Sequence, residues 1–258
     1  MALTETQEQV LVGLMLGDGN LSTGGRSINA RLRINRAGRD TAYARWIADV
    51  FSTYVTKRAL SRRKIYDARY GRYYARVAFC TRRHEDFTVW HEAWYRPKKR
   101  VPKDLLLTPL TVAIWFADDG SIHQRKNGGV EIKFNTSGFR RAEVKHLAAL
   151  LNARYEGGFG TYGGYGNDQW VIMGSTRVAR RLLRDVDAVF PPLKRKSKFW
   201  RFGFLDSPTP RCRECGADTV FRNGRYDYTS HAGVRTVKQR FRCGTCDAYW
   251  RECIADPP

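Results

Sequence analysis

Two aspartates and two pairs of cysteines are the residues whose type and spacing could do chemistry. Asp18 ends the run "LVGLMLGD" and Asp119 ends "VAIWFADD"; glycine follows each. Both runs are apolar and of helical length, so each carboxylate is expected in the last turn of a helix. There the helix dipole disfavours a negative charge by about 0.3–1 kcal/mol. A divalent cation between the two acids would reverse that sign, and a pair of carboxylates suits Mg²⁺, which takes oxygen ligands and keeps several waters. Such ions activate water and stabilise the charge on a phosphodiester undergoing hydrolysis. The second set is Cys212, Cys215, Cys243 and Cys246, in two C-x-x-C pairs. Four thiolates so spaced fit a closed tetrahedral structural Zn²⁺ site.

The elements that must position the acids follow from local signals. Thr6-x-x-Gln9 offers a capping box for the first helix, and Thr108-Pro109 places proline at the start of the second. Gly19 and Gly120 fall just past the expected ends. Gly13 and Gly17 form a small-residue stripe on one helix, Ala113 and Ala117 on the other. Two such stripes would let the helices pack closely and bring their acidic ends together.

The chain is otherwise strongly basic. Its 258 residues carry a formal net charge of +21 at a hydrophobic fraction of 42%. That excess favours a polyanion, and the arginines fall on strand-like segments instead of a basic amphipathic helix, which favours nucleic acid over a membrane surface. No apolar run is long enough to span a bilayer, and "MALTETQEQ" lacks the basic-then-apolar order of a signal peptide. A cytoplasmic protein is the expectation, and in a reducing compartment the clustered cysteines point to metal over disulfides. Cys253 is a substitute ligand, and Cys80, in an apolar strand, reads as core.

Alternation marks the strands. In "SINARLRINR", Ile28, Ala30, Leu32 and Ile34 should face inward, and the opposite face is basic. A helix follows, with Asp40 as its N-cap. "SRRKIYDARY" and "GRYYARVAFC" then make a second strand pair, and a helix around residues 84–95 closes the unit. The order recurs from Thr108: a motif helix, the strands "GSIHQ" and "GVEIKFNTS", the helix "RRAEVKHLAALLNARY", a strand near Tyr155, another in "QWVIMGS", and a last helix in "STRVARRLLRDVDAVF". The expected fold is α+β, with two tandem pseudo-symmetric α-β-β-α-β-β-α halves forming a saddle of antiparallel strands. "SPTP" at 207–210 reads as a linker to a small zinc ribbon. The expected units are 1–106, 107–206 and 207–258. "GFGTYG" at 158–163 formally matches a dinucleotide-binding pattern, but no apolar strand leads into it, and a loop is expected there.

A two-stranded ribbon fits the major groove, where arginine pairs with guanine, and asparagine or glutamine with adenine. The expected duplex-reading residues are Asn29, Arg31, Arg33, Arg72, Tyr74 and Arg76 in the first half, and Gln124, Arg125, Lys133, Asn135 and Gln169 in the second.

"LVGLMLGDG" and "LTPLTVAIWFADDGS" resemble the two motifs of the single-chain LAGLIDADG homing endonucleases, and the resemblance extends over residues 6–205. It implies a monomer that cuts a long double-stranded DNA site through Asp18 and Asp119, holding two or more Mg²⁺ ions. Asp118 would then be structural or outer to the metal. It also implies a staggered break with 3′ overhangs and spread of the intron or intergenic element that encodes the protein. The family places a lysine in each half: "KRVP" at 99–102 selects Lys99, and "PPLKRKSKF" offers Lys194, Lys196 and Lys198, of which Lys196 is the choice. Relatives with this fold also act as RNA maturases or as regulators without cleavage, so intron RNA is a second expected partner. A ribosome-associated structural protein would explain the charge but leave the paired acids unused.

Overall fold

The computed structural model describes residues 2–24, 27–55, 60–124, 130–163, 169–189, 211–217, 220–229 and 235–254. The first half runs α1 (Glu5–Leu16), β1 (Asn20–Gly24), β2 (Ser27–Ala37), α2 (Thr41–Val50), β3 (Leu60–Asp67), β4 (Arg72–Cys80) and α3 (Glu85–Trp94). The second repeats it as α4 (Pro109–Asp119), β5 (Gly120–Gln124), β6 (Val130–Asn135), α5 (Arg141–Tyr155), β7 (Phe159–Gly163), β8 (Trp170–Gly174) and α6 (Thr176–Val189). The two sheets have the same order, β1-β2-β4-β3 and β5-β6-β8-β7, and every pairing is antiparallel. This is the α+β repeat expected from the sequence.

The repeat holds at the level of single residues. Leu21 pairs with Leu32 across β1–β2, as Ile122 does with Ile132 across β5–β6. Ile34 opposes Phe79, as Phe134 opposes Ile172. Arg36 and Thr136 therefore stand at equivalent places, each two residues beyond the paired core residue. One continuous apolar core serves both halves, built around the buried Leu11, Leu14, Phe79, Trp115, Phe116 and Phe134.

α1 starts earlier than the sequence suggested. The box forms at Thr4 and Gln7: Thr4 Oγ1 accepts from Gln7 N at 3.3 Å and Gln7 Oε1 accepts from Thr4 N at 3.0 Å. The earlier start lets the buried Gln7 amide donate to Val50 O at 2.9 Å, tying α1 to α2, and leaves Gln9 to accept from Thr108 Oγ1 at 3.0 Å. Thr108 caps α4 as expected, with Pro109 in its first turn.

α1 and α4 pack backbone to side chain. A Cβ on Gly13 would lie 2.7 Å from Ile114 Cβ and 2.8 Å from Thr111 O, and Gly17 lies against Asp118. The glycines therefore receive Ile114 and Asp118, not Ala113 and Ala117, because α4 presents the row one residue on from the alanines, about 100° further round the helix. By motif position Gly13 corresponds to Ile114, and Gly17 to Asp118, so at two successive turns of this interface a glycine faces a larger residue.

Three further expectations are corrected. Ile28 is 85% exposed, because it lies beyond Ala30, the last residue of β2 bridged to the chain that begins α3 at His84. No side-chain cap bond forms at Asp40; Thr41 Oγ1 donates to Gly38 O at 2.6 Å instead. The helix of the second half runs through Tyr155, which stays in phase with the buried Leu147 and Leu151. It stops at the left-handed Glu156 and Gly157, and the strand begins only at Phe159.

The C-terminal unit is a three-stranded sheet of order β11-β10-β9, from β9 (Val220–Thr229), β10 (Arg235–Cys243) and β11 (Tyr249–Ile254). It has its own small core of Cys212, Val220, Phe241 and Cys243, and it meets α6 where Arg180 donates to Val220 O at 2.9 Å. Among the described residues no helix is long and apolar enough to cross a membrane.

A candidate acidic centre at the seam of the two halves

The ends of α1 and α4 converge on one acidic centre. Gly17 closes α1, its N–H reaching Gly13 O and Leu14 O, so Asp18 lies just beyond the helix and not in its last turn. Asp119 is the last residue of α4. Neither Gly19 nor Gly120 is left-handed. Gly19 is required by space, since its Cβ would lie 2.7 Å from Leu14 O, and Gly120 is pressed on Phe116 in the same way.

Arg36 joins the two motifs. Its guanidinium pairs with Asp18 through Nη1 and with Asp118 through Nη2, while its side chain is only 3% exposed. Asp118 is fully enclosed: it also accepts from Tyr43 Oη at 3.2 Å and from Asp18 N at 3.4 Å. Arg36 lies 5.4 Å from the Tyr43 ring centroid. Burial alone would lower the Arg36 pKa, but Asp118, Tyr43 and Asp18 together hold it above its ordinary value. Burial, then Asp118, raises the Tyr43 hydroxyl well above its usual range. Asp18, by contrast, keeps 52% of its side chain in solvent.

The other acid has a different environment. Burial, then the charges of Asp18 and Asp118, pushes the Asp119 carboxyl up to about 7, against partial relief from Lys99 and Arg36. Lys99 donates to Gly17 O and Gly19 O, each at 3.2 Å, so it caps the end of the first motif. Burial lowers it to about 8, although Asp119, Asp18 and Asp118 all favour its charged form. The equivalents of Arg36 and Tyr43 in the second half are Thr136 and Glu143. Thr136 donates to Trp170 O at 2.7 Å and Glu143 accepts from Val101 N at 2.9 Å, so neither serves the acids.

A cleft of about 850 Å³ opens beside this centre, lined by Asp18, Arg36 and Asp118 and by Arg72, Tyr74 and Arg76. Arg33 and Asn35 stand on the same sheet face, opposite Cys80 and Ala78, and Arg63 stands opposite Arg76. Arg33, Arg72 and Arg76 are exposed and Arg31 and Tyr74 half-buried. Asn29 is engaged by α3, its Oδ1 accepting from Thr88 Oγ1 at 3.3 Å. In the second half Lys133 is half-buried, Asn135 and Gln169 are exposed, and Gln124 ends β5. Arg125, Lys194, Lys196 and Lys198 lie outside the described residues.

Four residues escaped the sequence reading: Arg36, Tyr43, Asn35 and Arg63. Arg36 had a signal, because it continues the buried phase of Ala30, Leu32 and Ile34, where a charge needs a partner.

The donors that the two motifs offer are oxygens, the carboxylates of Asp18 and Asp119, near the cations Arg36 and Lys99. That set fits a hard divalent ion. The four cysteines are a separate centre. Their sulfurs lie within 4.8 Å of one another, with Cys212–Cys246 and Cys215–Cys243 each at 3.6 Å. The N–H groups of Cys246 and Thr245 point at Cys243 Sγ and pull its thiol down to about 6. This arrangement suits a thiolate metal ligand. Cys80 is half-buried in β4, and Cys253 lies on β11.

Two motif helices meeting at a pseudo-twofold seam, with an acid from each and a four-stranded antiparallel sheet in each half, define a single-chain, two-motif protein of homing-endonuclease architecture. The LAGLIDADG DNA endonuclease family model matches residues 8–162, and the chain belongs to that family. It shares its fold with the homing endonuclease I-WcaI, solved bound to its DNA recognition sequence (TM-score 0.67, 23% identity, 77% of this chain and 88% of that one). Similar curated proteins include the cytochrome b mRNA maturase bI2 of Debaryomyces hansenii, 37% identical over 82 residues, 31% of this chain and 29% of that protein. Protein RecA of Mycobacterium gastri is 32% identical over 135 residues, 49% of this chain and 29% of that protein. The chain thus spans under a third of the length of these curated relatives.

Proposed function

We propose that the protein is a site-specific double-stranded DNA endonuclease. The observation that carries this reading is the convergence of Asp18 and Asp119, one from each motif, near Lys99, with Asp18 lining the cleft beside the basic strands of the first half. Asp18 and Asp119 would hold Mg²⁺, which supplies an activated water and neutralises charge on the phosphate. Asp118 is too enclosed to act as an outer ligand and instead fixes Arg36 and Tyr43. Arg36 orients the Asp18 carboxylate through their ion pair. Lys99, with a pKa near 8, carries a proton at neutral pH and can offset charge on the phosphate as water adds to phosphorus and the ester oxygen departs. Lys196 is assigned the corresponding place in the second half. Arg31, Arg33, Arg72, Tyr74 and Arg76, with Lys133, Asn135 and Gln169, would grip the duplex. One acid near each strand gives a staggered double-strand break with 3′ overhangs, and a monomer suffices because both motifs lie in one chain.

The proposed units are 1–106, 107–206 and 207–258, the last held by structural Zn²⁺ on Cys212, Cys215, Cys243 and Cys246. Similarity to an mRNA maturase supports a second reading, binding of intron RNA on the same scaffold.

The test is cleavage of a pooled random-duplex library in Mg²⁺ by the wild type, Asp18→Asn and Asp119→Asn, with the cut ends sequenced. Enriched sites with staggered ends, and loss of double-strand cutting in both variants, are expected. Tight binding without cleavage in all three would leave the maturase reading.

A further inference from the structure

The β3–β4 ribbon reaches beyond the helices that cover the rest of its sheet. Val77 and Phe79 are buried on the core side, opposite Arg62 and Leu60. On that same side the next residues outward are Lys64 opposite Ala75, and Tyr66 opposite Tyr73. Ala75 meets Gly38, at the turn leading into α2. Past it the ribbon stands free: Tyr66 is 54% and Tyr73 68% exposed, with their ring centroids 5.2 Å apart and the rings tilted by 56°. Arg62 and Lys64 are exposed beside them, and no acid stands on this face between Arg62 and Tyr73. Arg63, Ile65, Asp67, Arg72, Tyr74 and Arg76 occupy the opposite face, which lines the cleft by the acidic centre. Because side chains alternate across a strand, a duplex in that cleft leaves Tyr66 and Tyr73 facing away from it.

We propose that Tyr66 and Tyr73, with Arg62 and Lys64, form a second nucleic-acid site that takes unpaired RNA bases. Two exposed, tilted aromatic rings each offer a stacking surface, and the flanking cations suit the phosphates between successive bases. Duplex DNA presents no free base face. Folded RNA carries unpaired loops as a standing feature, and tyrosine hydroxyls can exchange hydrogen bonds with ribose 2′-hydroxyls. This site goes beyond the duplex endonuclease reading and stands or falls independently of it.

The experiment uses fluorescence anisotropy of the full chain with fluorescein-labelled oligouridylate, and with a duplex DNA in parallel. Stacking is worth roughly 1–3 kcal/mol per base, so Y66A/Y73A should weaken oligouridylate binding by about thirty-fold or more. Duplex binding should be unchanged, which also reports that the variant is folded. Y66F/Y73F, which keeps the rings, should retain most of the RNA affinity. The proposal is overturned by undetectable RNA binding in the wild type, by unaltered RNA binding in Y66A/Y73A, or by equal loss for duplex and RNA. Oligothymidylate bound as tightly as oligouridylate would overturn the assignment to RNA.

Discussion

Asp119→Asn should make the metal-free protein more stable at neutral pH while removing its divalent-ion response. The folded-state carboxyl titrates at about 7 against an ordinary 3.8, because it is half-buried near Asp18 and Asp118. A raised acid pKa means that the native state holds a proton which the unfolded chain has already released. Its contribution is full below about 4 and is lost as pH rises through about 7. The shift corresponds to about 4 kcal/mol; residual contact with solvent reduces this to about 2 kcal/mol. Asparagine has no such dependence. Urea unfolding in the presence of EDTA, across pH from about 4 to 8, should therefore show the two proteins nearly equal in acid, with the variant ahead by about 2 kcal/mol above pH 7. Mg²⁺ should then raise the unfolding midpoint of the wild type and leave the variant unchanged, because only a state that binds the ion gains from it. Equal stability at every pH, or a variant weaker above pH 7, would refute the assigned environment of Asp119.

Arg36→Met leaves Asp118 buried without its cation and should cost about 3–5 kcal/mol in urea unfolding, most of it recovered in Arg36→Met/Asp118→Asn. Gly13→Ala drives a methyl into Ile114 and the Thr111 carbonyl and should cost about 1–3 kcal/mol, read as a lowered thermal midpoint. Removing metal from the cysteine centre with a chelator, or Cys243→Ser, should unfold the β9–β11 sheet while the melting of the two halves is retained, since two of the four buried core residues among the described ones, Cys212 and Cys243, are themselves proposed metal ligands. Hydrogen exchange resolved by segment would show the difference.

Much of this architecture was legible because the relevant signals are local. The strand alternation, the Thr108-Pro109 helix start and the paired acid–glycine endings each depend on neighbours within one turn or one strand. What was not legible depends on partners distant in sequence. The choice of Thr4 over Thr6 follows from Gln7 reaching Val50, and the partners of Gly13 and Gly17 follow from how α4 is rotated against α1. Arg36 was half-legible. Its phase placed it inside, but only the fold reveals that its partners are the acid before Gly19 and the acid before Asp119. Asp118 looked like a spare beside Asp119, yet it is the most enclosed carboxylate of the centre.

The seam between α1 and α4 also bears on how such a chain can evolve. At both close crossings the first half supplies the hole and the second the peg: Gly13 receives Ile114, and Gly17 receives Asp118. Two copies of the second half would set isoleucine on isoleucine and carboxylate on carboxylate; two copies of the first would leave gaps where the pegs had been. The halves are thus not interchangeable parts. Each is the other's complement at these crossings, so neither could pair with a copy of itself as a symmetric dimer without new contacts there, and a mutation at one crossing invites its compensation in the opposite half.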